Sequence, residues 1–161
     1  MDWLFQEYLN RKEEIQQRLK DYKEVPEEEW FYELSFCLLT PGSKALTADA
    51  CIKKLKELDF KNQDLNIHPH IKHMRFHNRR NEYLQKLKLD YPEIEDKLKT
   101  EKDSIVLRNW LAENIKGIGL KEASHFLRNI GYRDLAIIDR HILKGLKKTN
   151  VIQEIPESIS K

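Results

Sequence analysis

The stretch Asn114-Ile-Lys-Gly-Ile-Gly-Leu-Lys-Glu-Ala-Ser-His-Phe-Leu-Arg-Asn-Ile-Gly131 decides the fold of this chain. Apolar residues recur at helical spacing on both sides of its Gly-x-Gly core, which predicts two amphipathic helices joined by a tight hairpin. Glycine suits this turn because Gly117 and Gly119 allow backbone angles and close approaches that a Cβ would prevent. Ile118 is expected to point inward and pin the turn. The motif therefore reads as helix, hairpin, helix over residues 114–131.

The hairpin is also a candidate site for a phosphate group. Free amides at the start of a helix, together with the helix dipole, attract an anionic oxygen. Lys116, Gly117, Ile118 and Gly119 would then hold one strand of a nucleic acid without reading its bases. An ordinary corner between two helices explains the same residues, because Gly-x-Gly alone is a weak signal.

Lys121 lies two residues past Gly119, in the first turn of the second predicted helix. The helix dipole and neighbouring basic groups disfavour an ammonium there. A lysine that exists as the free amine can attack carbon and form a Schiff base. A solvated surface lysine is the alternative, and position alone does not decide between the two.

The run Leu135-Ala-Ile-Ile-Asp-Arg-His141 ends in a carboxylate and two basic or titratable side chains. Asp139 suits the N-cap of a last helix, which is a sufficient structural reason for it. The same carboxylate could face the cleft that contains Lys121 and stabilise positive charge developing on a substrate.

Together these motifs resemble the helix-hairpin-helix DNA glycosylases, whose signature is a Gly-x-Gly hairpin, a lysine two residues later and an aspartate near a downstream helix. Within that superfamily, the hairpin and Ala136-Ile-Ile-Asp-Arg-His141 are most similar to the archaeal-type 8-oxoguanine DNA glycosylase/AP lyases. Residues 30–40 and 75–83 are similar to family segments over shorter lengths.

The resemblance implies an all-α fold, with two small helical lobes around a cleft in a single domain spanning 1–161. It implies an enzyme that extrudes oxidised guanine from the duplex, excises it and cleaves the strand by β-elimination. Lys121 would attack C1′ and form the Schiff base, and Asp139 would offset positive charge on the sugar. No organic cofactor is required.

Further residues are expected to contact DNA from their charge and position. These are Arg75, Arg79, Arg80, Arg140 and His141, each a candidate for phosphate contact. Phe76 has two interpretations, either a core residue at helical spacing or a ring beside the flipped base.

Composition bounds the function in a different way. With 161 residues and 40% hydrophobic content the chain can form one compact domain, and its net charge of +2 alone does not indicate a nucleic-acid binder. The charge is unevenly distributed, however, with −5 over residues 1–36 and +5 over both 71–88 and 105–148. Such a dipolar surface can orient a protein on a polyanion, although well-solvated helix faces would show the same counts.

The sequence also predicts the setting of the protein. Neither a membrane-length apolar run nor a signal-peptide pattern is apparent, so we expect a soluble, intracellular protein that does not act on membranes. The family resemblance implies a cytoplasmic, nucleoid-associated prokaryotic monomer that acts on double-stranded DNA. His68, His70, His73 and His77 form a cluster without a well-placed further ligand, which does not favour a metal site. Family members usually continue with helices beyond residue 156, so C-terminal helices of the base pocket are expected to be missing from this chain.

The coarse pattern predicts helices throughout. The first carries Trp3 to Tyr22, the second begins near Pro26, the third covers about 48–58, and residues 59–74 form an irregular connection. A basic helix carries Phe76, Tyr83, Leu84 and Leu87 and ends at Tyr91-Pro92, and Asp103 caps the helix that enters the hairpin.

Two rival functions remain open from the sequence. One is a noncatalytic helix-hairpin-helix module that grips backbone phosphates, and the other is a glycosylase of the same fold for a different damaged base.

Overall fold

A computed structural model describes residues 2–157, with side chains from Trp3 onward, and every regular element in that range is helical. The helices are α1 (Asp2–Lys23), α2 (Trp30–Leu39, after a 3-10 turn at Glu27–Glu29), α3 (Ala45–Glu57), α4 (His68–Ile71), α5 (His77–Thr100), α6 (Ser104–Asn114), α7 (Leu120–Asn129) and α8 (Arg140–Lys148). The prediction of an all-α fold is confirmed. None of these helices is long and apolar enough to cross a membrane.

The core forms around α2, which contacts α3, α5 and α7, while α6 and α7 pack against each other across the hairpin. Phe31, Leu34 and Leu39 of α2 are fully buried, as are Phe126 and Leu127 of α7. Burying large apolar side chains contributes about 1.5–3 kcal/mol each, so this packing holds the hairpin helix rigidly against the centre of the protein.

Asp103 caps α6 as predicted. Its Oδ1 accepts hydrogen bonds from the amides of Ile105 and Val106 at 2.8 and 3.0 Å. Because these amides lack helical partners, the aspartate fixes where the helix that leads into the hairpin begins.

The prediction that Tyr91-Pro92 ends the basic helix is wrong, since α5 continues through Pro92 to Thr100. A proline removes one helical hydrogen bond. The buried side chains of Tyr91, Ile94 and Leu98 keep both halves of α5 on the core and offset that loss. The irregular connection at 59–74 also contains one short helix, α4, with Pro69 in its first turn.

Candidate active site

The hairpin between α6 and α7 has the conformation that its glycines predict. Gly117 has a φ of +93°, and a Cβ there would collide with the ring of Tyr83 and lie 3.0 Å from Leu38. Ile118 is buried, with 4% of its surface exposed, so it pins the turn from inside. The hairpin therefore packs directly on α5 through the contact between Gly117 and Tyr83.

The hairpin amides are less free than the sequence suggests. The Ile118 amide donates to the Ile115 carbonyl at 3.1 Å, and the Gly119 amide donates to Glu122 Oε2 at 3.3 Å. Glu122 thus forms a capping box at the start of α7. The expectation of a free Gly119 amide is wrong for the unbound protein, because Glu122 accepts its hydrogen bond. A phosphate that binds this amide has to displace the Glu122 carboxylate.

Lys121 lies in the first turn of α7, between two cavities. Its Nζ is 3.6 Å from Glu122 Oε1, and 40% of its side chain is exposed. The Lys121 side chain therefore borders a cavity on each side.

The larger cavity, of about 440 Å³, brings Lys121 and Asp139 together. Its walls come from α1, α2, the turn after α2, the start of α3, α7 and the segment before α8. Its lining consists of Tyr22, Phe36, Thr40, Ser43, Ala45, Lys121, His125, Arg128, Asn129, Ile137 and Asp139. The two residues that the sequence singled out for chemistry therefore share one chamber.

Asp139 performs the capping role that the sequence predicted. Its Oδ1 accepts from the Ile142 amide at 2.8 Å and from the His141 amide at 2.9 Å, which fixes the start of α8. The hydrogen bond from the Ile142 amide, with a smaller contribution from the His141 amide, holds the pKa of this carboxyl below its usual range. Since Oδ2 has no hydrogen-bond partner among the described residues, the same ionised group can also act on a cation in the cavity.

His125 follows Lys121 by one helical turn and lines the same cavity. Its ring lies edge-on to Phe36, with centroids 6.0 Å apart. Burial lowers the pKa of His125 to about 4, and the charges of Arg128 and Lys121 act in the same direction. The imidazole is therefore neutral at physiological pH.

A polar network forms the wall beyond His125. Arg128 Nη2 donates to Asn129 Oδ1 at 3.1 Å, and Asn129 Nδ2 donates to Glu33 Oε2 at 3.0 Å. The Arg128 guanidinium also lies 5.0 Å from the ring centre of Tyr22, which closes the cavity from α1. Burial raises the pKa of Glu33, and the hydrogen bond from Asn129 partly offsets that effect.

The smaller cavity, of about 260 Å³, lies on the other side of Lys121 and is mainly apolar. Its lining consists of Arg108, Leu120, Lys121, Ser124, Ala136, Ile138, Leu143 and Pro156. Arg140 donates through Nη2 to the Glu157 carbonyl, so this side chain lies against the segment that contributes Pro156. His141 is exposed in the first turn of α8.

Phe76 is exposed and lies outside the core. It precedes α5 in the left-handed region, with a φ of 59°, and 58% of its surface is exposed. The Arg75 guanidinium stacks 4.6 Å from its ring centre. Phe76 lines a third cavity, of about 110 Å³, together with Arg79 and Gly117. The interpretation of Phe76 as a core residue is therefore wrong, and a ring available to a ligand remains.

The prediction that Arg80 contacts phosphate is wrong, because its side chain is buried. Only 5% of its surface is exposed, and Nη1 donates to the Leu39 carbonyl at 2.7 Å and to Ser43 Oγ at 2.8 Å. Nη2 donates to the Pro41 carbonyl at 2.5 Å. We correct its role to a structural one, because the guanidinium is committed to the turn that follows α2. Arg79, its neighbour, is exposed.

Three contributors to the site were missed at the level of sequence. His125 could have been found from its spacing of four residues from Lys121, which places both on one helix face. Glu122 could have been found as the third residue of a helix whose N-cap is Gly119. Tyr83, which faces Gly117, gives no local signal because the two are far apart in the chain.

The sequence and fold of this chain are similar to those of known proteins. A family model described as 8-oxoguanine DNA glycosylase matches residues 15–161. The chain belongs to the 8-oxoguanine DNA glycosylase family. The family assignment and the helical architecture that the resemblance implied are both confirmed.

Relatives within the family include two proteins named 8-oxoguanine DNA glycosylase/AP lyase. The one from Methanocaldococcus jannaschii is 43% identical over 150 residues, covering 90% of this chain and 70% of the relative. The one from Fusobacterium nucleatum is 38% identical over 174 residues, covering 96% of this chain and 80% of the relative.

Solved structures from the family agree with the fold. The Methanocaldococcus jannaschii 8-oxoguanine glycosylase/lyase, crystallised with a 15mer DNA containing 8-oxoguanine, matches with a TM-score of 0.84 and 38% identity, over 97% of this chain and 78% of that one. The 8-oxoguanine DNA glycosylase of Thermotoga maritima matches with a TM-score of 0.84 and 32% identity, over 99% of this chain and 78% of that one.

Proposed function

We propose that this chain excises 8-oxoguanine from double-stranded DNA and cleaves the strand at the resulting site, with Lys121 as the nucleophile. The observation that carries the proposal is the placement of Lys121 and Asp139 on the wall of one cavity beside the hairpin. The relatives named for this activity support the choice of lesion.

The reaction requires the damaged nucleotide to leave the base stack, which costs a few kcal/mol. The lone pair of the Lys121 amine forms a bond to C1′ of the deoxyribose. The bond from C1′ to N9 breaks, and its electron pair leaves with the base, which takes up a proton. Loss of a proton from the amine and opening of the sugar ring give a Schiff base.

Strand cleavage follows from the same intermediate. The Schiff base makes the C2′ proton acidic, and removal of that proton expels the 3′ phosphate by β-elimination. Asp139 stabilises the positive charge that develops on the sugar and on nitrogen, because Oδ2 remains available while Oδ1 caps α8.

The DNA backbone would lie across the hairpin and the start of α5. Lys116, Arg75 and Arg79 supply cations there, and Phe76 supplies an exposed ring on which a DNA base can stack. The Gly117 amide has no hydrogen-bond partner among the described residues, so it can donate to a phosphate oxygen directly. The Gly119 amide becomes available once Glu122 moves.

The test is borohydride trapping of the protein on two duplexes, one with a single 8-oxoguanine and one with an abasic site. We expect a covalent adduct on both, and Lys121→Gln should abolish both because it removes the amine. Lys116→Gln is the matched control, since it deletes a hairpin lysine outside the cavity and should weaken binding while keeping the adduct.

The outcomes separate the rival functions. An adduct on the abasic duplex alone would favour a glycosylase for another damaged base. Absence of any adduct from the unmodified protein, with DNA binding retained, would favour a noncatalytic phosphate-binding module.

A further inference from the structure

His125 is a polar group in the active-site cavity to which the reaction described above gives no task. It lies four residues after Lys121 on α7, so the two side chains leave the same helix face about 5–6 Å apart at Cβ. Both line the 440 Å³ cavity. A nucleotide whose C1′ is within reach of the lysine therefore presents the atoms around its glycosidic bond to the imidazole.

The state of the ring is defined by its neighbours. Phe36 holds it edge-on at 6.0 Å between centroids, and the cations Lys121 and Arg128 lie on either side along α7. Burial and these charges lower the pKa of His125 to about 4, so one ring nitrogen is an acceptor at neutral pH. Neither nitrogen is hydrogen-bonded to any residue between Trp3 and Glu157.

The lesion differs from guanine on the edge that adjoins the glycosidic nitrogen. In guanine N7 carries no hydrogen and accepts hydrogen bonds, whereas in 8-oxoguanine N7 carries a hydrogen and donates. A protein acceptor that faces this edge can receive a hydrogen bond from N7–H of 8-oxoguanine. In guanine the same acceptor faces N7, which is also an acceptor, so no hydrogen bond forms.

We propose that His125 recognises the oxidised edge of 8-oxoguanine by accepting a hydrogen bond from its N7–H. This inference rests on the proposed function, because it requires the damaged nucleotide to enter the Lys121 cavity. It makes His125 a specificity residue that touches the base, while Lys121 acts on the sugar. Phe36 and the flanking cations serve to orient the ring and keep it neutral.

The first experiment compares single-turnover excision of 8-oxoguanine with strand cleavage at an abasic site, which has no base to recognise. His125→Phe keeps a flat ring and deletes the acceptor. Loss of the hydrogen bond, with N7–H left unpaired, should lower excision ~10- to 100-fold more than it lowers abasic-site cleavage. His125→Gln, which retains an acceptor, should recover part of the difference, and His70→Phe, outside the cavity lining, is the matched control.

Two results of that experiment would overturn the proposal. An equal loss on both substrates would mean that His125 acts only by supporting Lys121 or the fold. No loss on either would mean that the ring does not touch the base. Failure of the proposed function looks different, because the unmodified protein would then form no adduct on the duplex that contains 8-oxoguanine.

The second experiment measures binding without chemistry, in the Lys121→Gln background. The ratio of affinities for duplexes containing 8-oxoguanine and guanine should fall about tenfold when His125→Phe is added, by loss of one discriminating hydrogen bond. An unchanged ratio would overturn the proposal, because it would mean that the His125 ring does not distinguish N7–H of 8-oxoguanine from the bare N7 of guanine.

Discussion

The hairpin segment, residues 115–129, and the start of α5, residues 75–83, both supply cations to the cavities, but they are held in place differently. In the hairpin segment the turn itself is set within a few residues, by the left-handed φ of Gly117, the hydrogen bond from Ile118 to Ile115 and the Glu122 cap. At the start of α5 the decisive contacts come from carbonyls about forty residues away, which bind Arg80. Local constraints can be read from a motif, whereas distant ones require the folded chain.

The largest expected effect on stability comes from the contact between the two segments, where Gly117 packs on Tyr83. Gly117→Ala should lower the free energy of unfolding by about 3 kcal/mol, because a left-handed φ strains alanine and its Cβ collides with Tyr83. Urea denaturation of the variant measures this change.

Gly119→Ala is the control for that prediction. Gly119 has an extended backbone, and a Cβ there meets only the end of the Glu122 side chain at 3.2 Å. Its cost should be at most about 1 kcal/mol. Equal losses for both glycine variants would show that the contact with α5 does not constrain the hairpin.

Two adjacent arginines give the next largest effect. Arg80→Met should cost about 2–3 kcal/mol of stability, because the carbonyls of Leu39 and Pro41 lose a buried charged donor. Arg79→Met should change stability by less than about 0.5 kcal/mol and instead weaken DNA binding, with a lower salt dependence. Thermal unfolding and binding titrations at several salt concentrations distinguish the two, and a reversed pattern would contradict the structural role given to Arg80.

The smallest expected effect is the dependence of stability on pH. His125 has a pKa of about 4 in the folded protein, below the ~6.5 of an unfolded chain, so the unfolded state binds the additional proton between these values. Stability should therefore fall as the pH drops from about 6.5 to about 4, by about 1 kcal/mol after allowance for partial access of water.

His125→Phe should remove this part of the acid sensitivity. Arg80 offers the contrast, since burial lowers the pKa of its guanidinium and yet arginine stays charged throughout this range. Denaturation curves at a series of pH values test the difference, and an unchanged acid slope in the His125 variant would contradict it.

The same contrast explains how far the sequence could predict the structure. The hairpin, the Asp103 and Asp139 caps and the all-α class all follow from local chemistry and are present in the fold. Pro92 was misjudged because its local preference to end a helix is outweighed by packing on both sides of it. Arg80 was misjudged because Arg79 and Arg80 have the same charge and adjacent positions. They differ only in the folded chain, where Arg80 alone donates to the turn after α2.

The first helix gives a similar case of tertiary context. Its pattern of Trp3, Leu4, Tyr8 and Ile15 predicts α1, yet these residues are between 39% and 53% exposed. Periodicity therefore indicated the helix without indicating what it packs against. Within the candidate site, the lysine and aspartate were visible as a motif, whereas the lowered pKa of His125, which lines the same cavity, depends on burial in the folded chain.

The double use of Asp139 bears on how this site evolves. Under the proposed function, selection acts on the residue once through the start of α8 and again through the charge it offers to the cavity. Asparagine caps helices nearly as well as aspartate, so a lineage that abandoned the chemistry could exchange one for the other at little cost to folding. An asparagine at this position in a relative would therefore mark a protein that still folds and binds DNA but has ceased to act on it.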